Sequence, residues 1–336
     1  MAVRRLRGEK SGLRPLDGGI DFGVDDRGRT HAGFRELCVA GIARYYHRLR
    51  QANTRATLKS AVEFVTVRVM GSDAATWLSL LAASIAQRPY VFTFLAAFLL
   101  LAGRDLGWRR TMGWLGWGFL VAFTAEYWST RIGIPFGLYH YTGATVGREL
   151  FISNVPFFDP LSFPFLAYAS YCLARWALRQ SRGWQTVALA GVLMTGLDVV
   201  IDPLAVRGDR WFLGHVFHYA EPGVYFGVPL SNFAGWALVG ALIVGGYLRA
   251  FGRRAEPRGS PVGGIGLYYG VLCFNLATTG LIGEWRLLGA GILVHVAAIL
   301  LIYRLRVLRS TRAWMGAPRH GAAAPSPTTL TDKGGL

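Results

Sequence analysis

The chain has 336 residues, of which 52% are hydrophobic and only 16% are charged, and its mean hydropathy is +0.33. Soluble domains carry about 25% charged residues, so this composition argues against an ordinary soluble domain and favours burial in lipid. The three cysteines lie far apart and form no CxxC pair. They therefore support neither a disulfide framework nor a thiolate metal site.

The net charge of +17 is concentrated at the two ends of the chain. Residues 1–70 hold 14 Lys or Arg against 7 acidic residues, and residues 304–336 hold 6 against 1. Basic segments that border apolar ones are typical of contact with anionic lipid headgroups. Because no basic stripe with interleaved aromatic residues occurs in a polar domain, we expect membrane lipids as partners and no nucleic acid.

Composition divides the chain into three parts: a basic, polar extension at 1–75, an apolar region at 76–305, and a tail at 306–336. The tail begins basic and then becomes rich in Gly, Ala and Pro, which is typical of disorder. The apolar region contains seven runs close to the ~20 residues that cross a bilayer. They are 88–104, 111–130, 157–178, 185–204, 229–250, 263–281 and 285–303. The sequence thus predicts an all-α, polytopic integral membrane helical bundle of about seven transmembrane helices.

The distribution of arginine predicts the orientation of this bundle. Arginines are dense in the loops after the first, third and fifth runs, and sparser and mixed with acids in the other loops. The positive-inside rule then places the first set and the C-terminus in the cytoplasm of a multi-pass inner-membrane protein. Seven crossings leave the basic extension outside, a conflict that disappears if translation starts at Met70 or if residues 77–87 join an eighth crossing. The run at 77–87 could also lengthen the first helix or lie at the interface.

A weak internal repeat relates two polar loops and the helices around them. Each copy has an acid near the end of one helix, a His-Tyr pair in the loop, a Val-Pro pair, and a polar residue early in the next helix. The first copy has Glu126, His140-Tyr141, Val155-Pro156 and Asp159, and the second has Asp198 with Asp202, His218-Tyr219, Val228-Pro229 and Asn232. Two parallel hairpins would bring the loops to one face. Chance matching of apolar segments is the alternative.

Four carboxyl groups fall within the predicted spans, where an ionised side chain costs about 2.5–3.5 kcal/mol. They are Glu126, Asp159, Asp198 and Asp202. The i,i+4 spacing of Asp198 and Asp202 puts both on one helix face. No lysine lies between Lys59 and Lys333 to neutralise these acids. We expect at least one to stay protonated, because burial and a neighbouring carboxylate disfavour the charge, and such a group facing an apolar cavity is a general acid.

Each of these acids also has a purely structural interpretation. Asp159 could cap its helix, Asp202 could cap or end its helix before Pro203, and Glu126 could reach the headgroups. The aromatic loops at 133–143 and 211–236 could form an interfacial belt or a lid over an entrance from the membrane. The HxxH spacing in the second loop suggests a metal ligand pair, but seven histidines are too few for a diiron hydroxylase. We predict no metal site and no cofactor.

Five segments resemble the carotenoid biosynthesis membrane-protein family, which includes carotenoid hydratases. They are RPYVF (88–92), AEYWSTRIGIPFGLYHYT (125–142), VPFFDPLSF (155–163), TGLDVVIDP (195–203) and GVYFGVPLSNFAGW (223–236). The resemblance covers about a third of the chain, and the long N-terminal extension departs from the family pattern. It implies addition of water to the terminal C=C of an acyclic carotenoid end group. The expected partners are the carotenoid within the bilayer and other enzymes of the carotenoid pathway.

Acid-catalysed hydration assigns hypothetical roles to the polar residues. Asp198 or Asp202 is the expected proton donor, with the other stabilising the carbocation or orienting water, and Glu126 is the second candidate. The residues expected to line the site or position water are His140, Tyr141, Asp159, His218, Tyr219 and Asn232.

Four other classes of membrane protein need to be considered. An end-group cyclase would also begin with protonation, and a prenyltransferase would need Mg²⁺ and a second aspartate-rich motif. A proton-coupled transporter would explain the buried acids but not the aromatic loops. The last predicted helix has no lysine for a retinal Schiff base, which excludes a microbial-rhodopsin pump.

Overall fold

A computed structural model describes residues 74–251 and 257–315 of the chain. The predictions for the basic extension, for a start at Met70 and for the tail beyond residue 315 lie outside these residues. The described residues form eight α-helices. They are α1 Ala74–Gln87, α2 Pro89–Asp105, α3 Trp108–Ile132, α4 Phe158–Leu178, α5 Trp184–Ala205, α6 Leu230–Phe251, α7 Val262–Leu281 and α8 Trp285–Met315.

Each of the seven predicted spans corresponds to one of the helices α2 to α8, which confirms the all-α membrane bundle. By length and composition, α5, α6, α7 and the part of α8 up to Leu308 are able to cross a bilayer, and the bent pair α1–α2 makes a fifth crossing if it counts as one span. Helices α3 and α4 have 25 and 21 residues, or about 37 and 31 Å, enough to match the hydrocarbon core. They are less apolar because they carry Arg109, Arg110, Glu126, Asp159 and Arg175.

The short run at 77–87 belongs to α1, a helix of its own. The axis bends by 96° between α1 and α2, so α1 does not simply lengthen the first span. Pro89 begins α2, where its missing N–H and fixed φ suit the first helical turn. At the other end, α8 continues to Met315, beyond the predicted end of the last span at residue 303.

Helix α4 is the centre of the bundle. Nearly all of its side chains are buried, and it contacts α2, α3, α5, α6, α7 and α8. Near its C-terminal end, Arg175 forms a 2.7 Å ion pair with Asp105 of α2. Asp105 also accepts hydrogen bonds from the hydroxyl of Tyr168 and the N–H of Gly259. Arg175 lies in the last turn of α4, where it is buried because Asp105 balances its charge.

Small residues bring α5 and α6 into close contact. A Cβ at Gly191 would lie 2.4 Å from the carbonyl oxygen of Ala237, and a Cβ at Gly240 would lie 3.1 Å from the Cα of Gly191. Glycine at these positions lets the two backbones approach as in other membrane helix pairs. The approach sets the distance between polar side chains farther along the same two helices.

The two related loops meet in an antiparallel ribbon. Strands β1, Tyr139–Tyr141, and β4, Phe217–Tyr219, pair so that His140 lies opposite His218. Strands β2, Phe151–Ile152, and β3, Val155–Pro156, form a second, shorter ribbon before α4. The expected meeting of the two His-Tyr loops on one face is therefore observed. Gly137 and Gly227, which follow Phe in both copies, share a φ of +91°, a value that favours glycine.

Candidate active site

A cavity lies between the helices and the β1–β4 ribbon. It encloses about 960 Å³ of empty space, its open mouth included, and its walls are mainly aromatic and aliphatic. The aromatic residues of the wall are Tyr90, Phe94, Phe136, Tyr139, Phe158, Phe163, Phe165, Trp211, Phe217, Tyr219, Trp236 and Phe274. Few polar side chains line the cavity, and they include three carboxyl groups, from Glu126, Asp159 and Asp202. Such a wall suits a long apolar ligand with one reactive position.

The first polar cluster joins α3, β1 and α4. The hydroxyl oxygen of Tyr141 lies 2.9 Å from Oε2 of Glu126 and 2.7 Å from Oδ2 of Asp159. Glu126 is buried in the second half of α3, and Asp159 occupies the first turn of α4. Burial, with the nearby Asp159 and Glu126 carboxyls, raises the pKa of Tyr141 well above its usual range. The tyrosine is therefore neutral and carries one hydroxyl hydrogen.

The second polar cluster joins α5, β4 and α6. The hydroxyl of Tyr219 donates to Oδ2 of Asp202 at 3.1 Å, and Nδ2 of Asn232 donates to Oδ2 of Asp198 at 2.6 Å. Asp202 and Asn232 line the cavity, whereas Asp198 is fully buried and is not part of the wall. Helix α5 continues through Pro203 to Ala205, so Asp202 does not end the helix as one structural interpretation held.

The two clusters follow the internal repeat. In each, a tyrosine of the ribbon contacts an acid of the helix that precedes it in the chain: Tyr141 contacts Glu126, and Tyr219 contacts Asp202. The polar residue at the start of the next helix, Asp159 or Asn232, completes each cluster. Asp202 also lies within electrostatic range of Asp159 and Glu126. The fold thus gathers four acids from three helices around one cavity.

Two carboxyl oxygens in these clusters have no partner. Oε1 of Glu126 and Oδ1 of Asp198 are buried without a hydrogen-bond partner among the described residues. An ionised carboxylate with an unpaired buried oxygen is costly, whereas the neutral acid is much less so. The unpaired oxygens therefore favour neutral acids at these positions.

A buried arginine contacts two residues of the cavity wall. Arg88, at the break between α1 and α2, donates to both carboxylate oxygens of Glu149 at 3.1 and 2.8 Å and to the carbonyl oxygen of Leu213 at 2.7 Å. Its guanidinium lies 4.6 Å from the centre of the Phe158 ring. Leu213 and Phe158 belong to the cavity wall. Arg88 therefore links the helix break to the loops that cover the cavity, and its charge acts on the neighbouring Asp159.

The two remaining predicted site residues are histidines of the β1–β4 ribbon that lie outside the cavity wall. His140 and His218 are exposed, their ring centres are 5.9 Å apart, and neither lines the cavity. His215 lies 6.0 Å from His218. Within residues 74–251 and 257–315, no group of three or more His, Cys, Asp or Glu side chains is placed to hold a metal ion.

Sequence reasoning missed two functional candidates, Tyr139 and Arg88. Tyr139 lines the cavity with its ring 5.4 Å from that of Tyr141 and 5.9 Å from that of Tyr219. The i,i+2 spacing of Tyr139 and Tyr141 would have revealed it, because alternate residues of a strand share a face. Arg88 had two signals, its place in the RPYVF segment and a lone charge at the start of an apolar run.

These features define a class of protein: a helical membrane protein with buried and half-buried acids in and behind the wall of an apolar, aromatic cavity. A family model described as "Carotenoid biosynthesis protein" matches residues 86–303, more than half of the chain. The chain belongs to this family, which confirms the resemblance found in the sequence. The matched region contains the ribbon and all four acids.

One curated relative carries a more specific name. The chain is 34% identical over 192 residues to the bisanhydrobacterioruberin hydratase of Haloarcula japonica. The alignment covers 52% of this chain and 60% of the relative, so the chain spans less than two thirds of that protein's length. No solved structure matches the chain.

Proposed function

We propose that the chain is a carotenoid hydratase, of the carbon–oxygen hydro-lyase type, that acts in the cell inner membrane. It adds water across the terminal C=C of an acyclic carotenoid end group. The observation that carries the proposal is the convergence of Glu126, Asp159 and Asp202 on a cavity that is otherwise aromatic and aliphatic. Membership of the carotenoid biosynthesis family and the name of the curated relative support it.

The reaction needs a proton donor, a dry pocket and one water molecule. Protonation of the terminal alkene at its less substituted carbon leaves a tertiary carbocation on the other carbon. Water attacks this carbon, and a carboxylate accepts the proton that the water loses. The net change adds H to one carbon and OH to the other, with no change in the protein. The step neither oxidises nor reduces the substrate overall, so it requires no redox cofactor.

The aromatic wall suits both the polyene and the cation. The ring of Phe163 stacks on that of Trp236 with centres 4.4 Å apart, and Tyr90 stacks on Phe274 at 5.2 Å. Flat rings pack well against a flat conjugated chain, and their faces attract a developing positive charge. The amide of Asn232 lies in the same wall and could orient the attacking water.

The two aspartates of α5 differ in their position relative to the cavity. Either Asp198 or Asp202 was expected to donate the proton. Asp202 faces the cavity, whereas Asp198 is held behind it by Asn232. We therefore assign Asp198 the role of positioning Asn232, and we keep Asp202 as a group that contacts the substrate.

Partners and location follow from the substrate and the sequence. A carotenoid is dissolved in the bilayer, so we propose entry from the lipid and contact with other enzymes of the carotenoid pathway. The inner-membrane assignment rests on the apolar helices and the distribution of arginine.

The test is expression of the chain in cells that accumulate lycopene, with pigments separated by chromatography and identified by mass. We expect a new pigment heavier by the mass of one water molecule per modified end. A variant with Glu126→Gln, Asp159→Asn and Asp202→Asn keeps the cavity shape but has no carboxyl in its wall, and it should give none. A product of unchanged mass would indicate a cyclase. No new pigment from any acyclic carotenoid supplied would contradict the proposed hydration.

A further inference from the structure

We propose that Glu126 is the proton donor and that Tyr141 connects it to Asp159, which takes the proton released by the attacking water. The three residues then form a relay that returns the proton to Glu126 after each turnover. This inference rests on the proposed hydration and names the groups that carry it out.

The hydrogen count at Tyr141 carries the argument. Its hydroxyl oxygen is within hydrogen-bond distance of two carboxyl oxygens, Oε2 of Glu126 at 2.9 Å and Oδ2 of Asp159 at 2.7 Å. A hydroxyl has one hydrogen, so it donates to only one of the two acids. The other contact is a hydrogen bond only if that carboxyl is protonated and donates to the tyrosine oxygen. The geometry therefore requires at least one extra proton shared between Glu126 and Asp159.

The surroundings of the two acids decide where this proton resides. Glu126 is 2% exposed, its Oε1 has no partner, and no arginine within the described residues forms an ion pair with it. Asp159 lies in the first turn of α4, and the positive charge of Arg88 acts on it more strongly than the opposing charge of Glu149. A helix N-terminus and a nearby cation both stabilise an anion. Glu126 is therefore the neutral acid, and Asp159 is the carboxylate.

These protonation states give the hydrogen bonds a direction. The carboxylic acid of Glu126 donates to the oxygen of Tyr141, and the hydroxyl of Tyr141 donates to the carboxylate of Asp159. Glu126 and Asp159 both line the cavity, so each is able to touch the substrate. The arrangement places an acid and a base at the same cavity with one hydroxyl between them.

The proton balance closes over one turnover. The O–H bond of Glu126 breaks as a C–H bond forms at the terminal alkene, and the π electrons of the C=C bond form that C–H bond. The hydroxyl of Tyr141 then turns its hydrogen toward the new Glu126 carboxylate. Water forms the C–O bond to the cation and loses a proton to Asp159. Transfer of one proton from Asp159 to Tyr141 and one from Tyr141 to Glu126 restores the starting state.

The tyrosine of the second cluster lacks this feature, which makes it a comparison within the same protein. Tyr219 contacts a single carboxyl oxygen, that of Asp202, at 3.1 Å. One donor and one acceptor require no extra proton at this tyrosine. Asp202 is therefore suited to remain a carboxylate that stabilises the cation, while Glu126 supplies the proton.

Infrared difference spectra of the purified protein test the protonation states without turnover. Glu126→Gln should remove a carboxylic acid C=O band from the native spectrum at neutral pH, and Asp159→Asn should remove a carboxylate band instead. Loss of a carboxylate band from Glu126→Gln, or of an acid band from Asp159→Asn, would overturn the inference. This result is independent of whether the native protein converts any particular carotenoid.

The rate of hydration and its pH dependence test the relay itself. Glu126→Gln should lower the rate by about a hundredfold or more. Tyr141→Phe should lower it roughly tenfold to a hundredfold. It should also move the acid limb of the pH–rate profile to higher pH, because Asp159 loses the donor that stabilises its anion. The matched variant Tyr247→Phe, which removes a buried hydroxyl that has no hydrogen-bond partner among the described residues, should leave that limb in place.

The possible failures are distinguishable. An active Glu126→Gln variant, or an unmoved acid limb in Tyr141→Phe, would overturn the relay while the proposed hydration stands. A native protein that hydrates no acyclic carotenoid would overturn the proposed function, and the relay with it, even if the infrared bands are assigned as expected.

Discussion

Asn232 donates a 2.6 Å hydrogen bond to Asp198 across the interface between α6 and α5. The contact joins two residues separated by 34 positions in the chain, and it holds the most deeply buried of the four acids outside the cavity wall. The amide that faces the cavity is thereby fixed in position. The pair therefore explains how two aspartates on one helix face acquire different roles.

The first prediction concerns these two aspartates. Asp198→Asn should keep most of the hydration activity, because an asparagine oxygen still accepts the hydrogen bond from Asn232. Asp202→Asn should lower the rate by at least tenfold, because the cation loses a negative charge in the cavity wall. Product formed per amount of folded protein measures both. Equal activity of the two variants would remove the distinction.

The second prediction concerns the close approach of α5 and α6. Gly191→Ala places a Cβ 2.4 Å from the carbonyl oxygen of Ala237, which forces the helices apart and should destabilise the protein by about 1–3 kcal/mol. Gly266 on α7 has no atom within 4 Å of an added Cβ. Gly266→Ala should therefore be neutral or slightly stabilising, since alanine favours helix over glycine. Thermal unfolding in detergent compares the two; a matching loss in both would contradict the packing argument.

The third prediction concerns the ion pair between Arg88 and Glu149, whose side chains are 2% and 0% exposed. Arg88→Met leaves a carboxylate buried without its partner and should cost about 3–5 kcal/mol. The double variant Arg88→Met, Glu149→Met removes both charges and should recover much of this loss. The free energy of unfolding of the single and double variants gives the answer. A double variant no more stable than the single one would show that hydrogen bonds to Arg88, not the unpaired charge, dominate.

The fourth prediction concerns pH and the three histidines above the ribbon. Partial desolvation by neighbouring atoms, together with His215 and His140, lowers the pKa of the exposed His218 from its ordinary 6.5. The folded state therefore binds this proton less readily than the unfolded state, so stability is unaffected well above pH 6.5 and falls as the pH drops through 6.5 toward the lower folded value. His218→Gln should flatten the dependence of the unfolding midpoint on pH in this window. An unchanged slope would exclude His218 as its origin.

Much of the architecture was predictable because membrane helices are visible in a sequence as long apolar runs. The helices at the seven apolar runs and the meeting of the two His-Tyr loops both follow from patterns visible along the chain. The repeat also pointed to Glu126, Asp159 and Asp202, all of which line the cavity. Local patterns sufficed wherever the hydrophobic effect or an internal repeat determined the structure.

Contacts between distant residues were beyond sequence reasoning. The spacing of Asp198 and Asp202 predicts a common helix face, but four residues also separate them by about 6 Å along the axis. Which one reaches the cavity depends on Asn232 in another helix. The pair of Arg88 and Glu149, 61 positions apart, likewise depends on the bend between α1 and α2. Tertiary packing, rather than local preference, decides such cases.

The most direct test of the central claim uses purified protein, an acyclic carotenoid and isotopically labelled water. Hydration predicts that each new hydroxyl carries the heavy oxygen of the labelled water, and that heavy water adds one deuterium to the neighbouring carbon. Both labels should disappear in Glu126→Gln, with Gly266→Ala as the control for handling of the protein. A hydroxyl that lacks the label, or a product formed without a new carbon–deuterium bond, would contradict acid-catalysed addition of water.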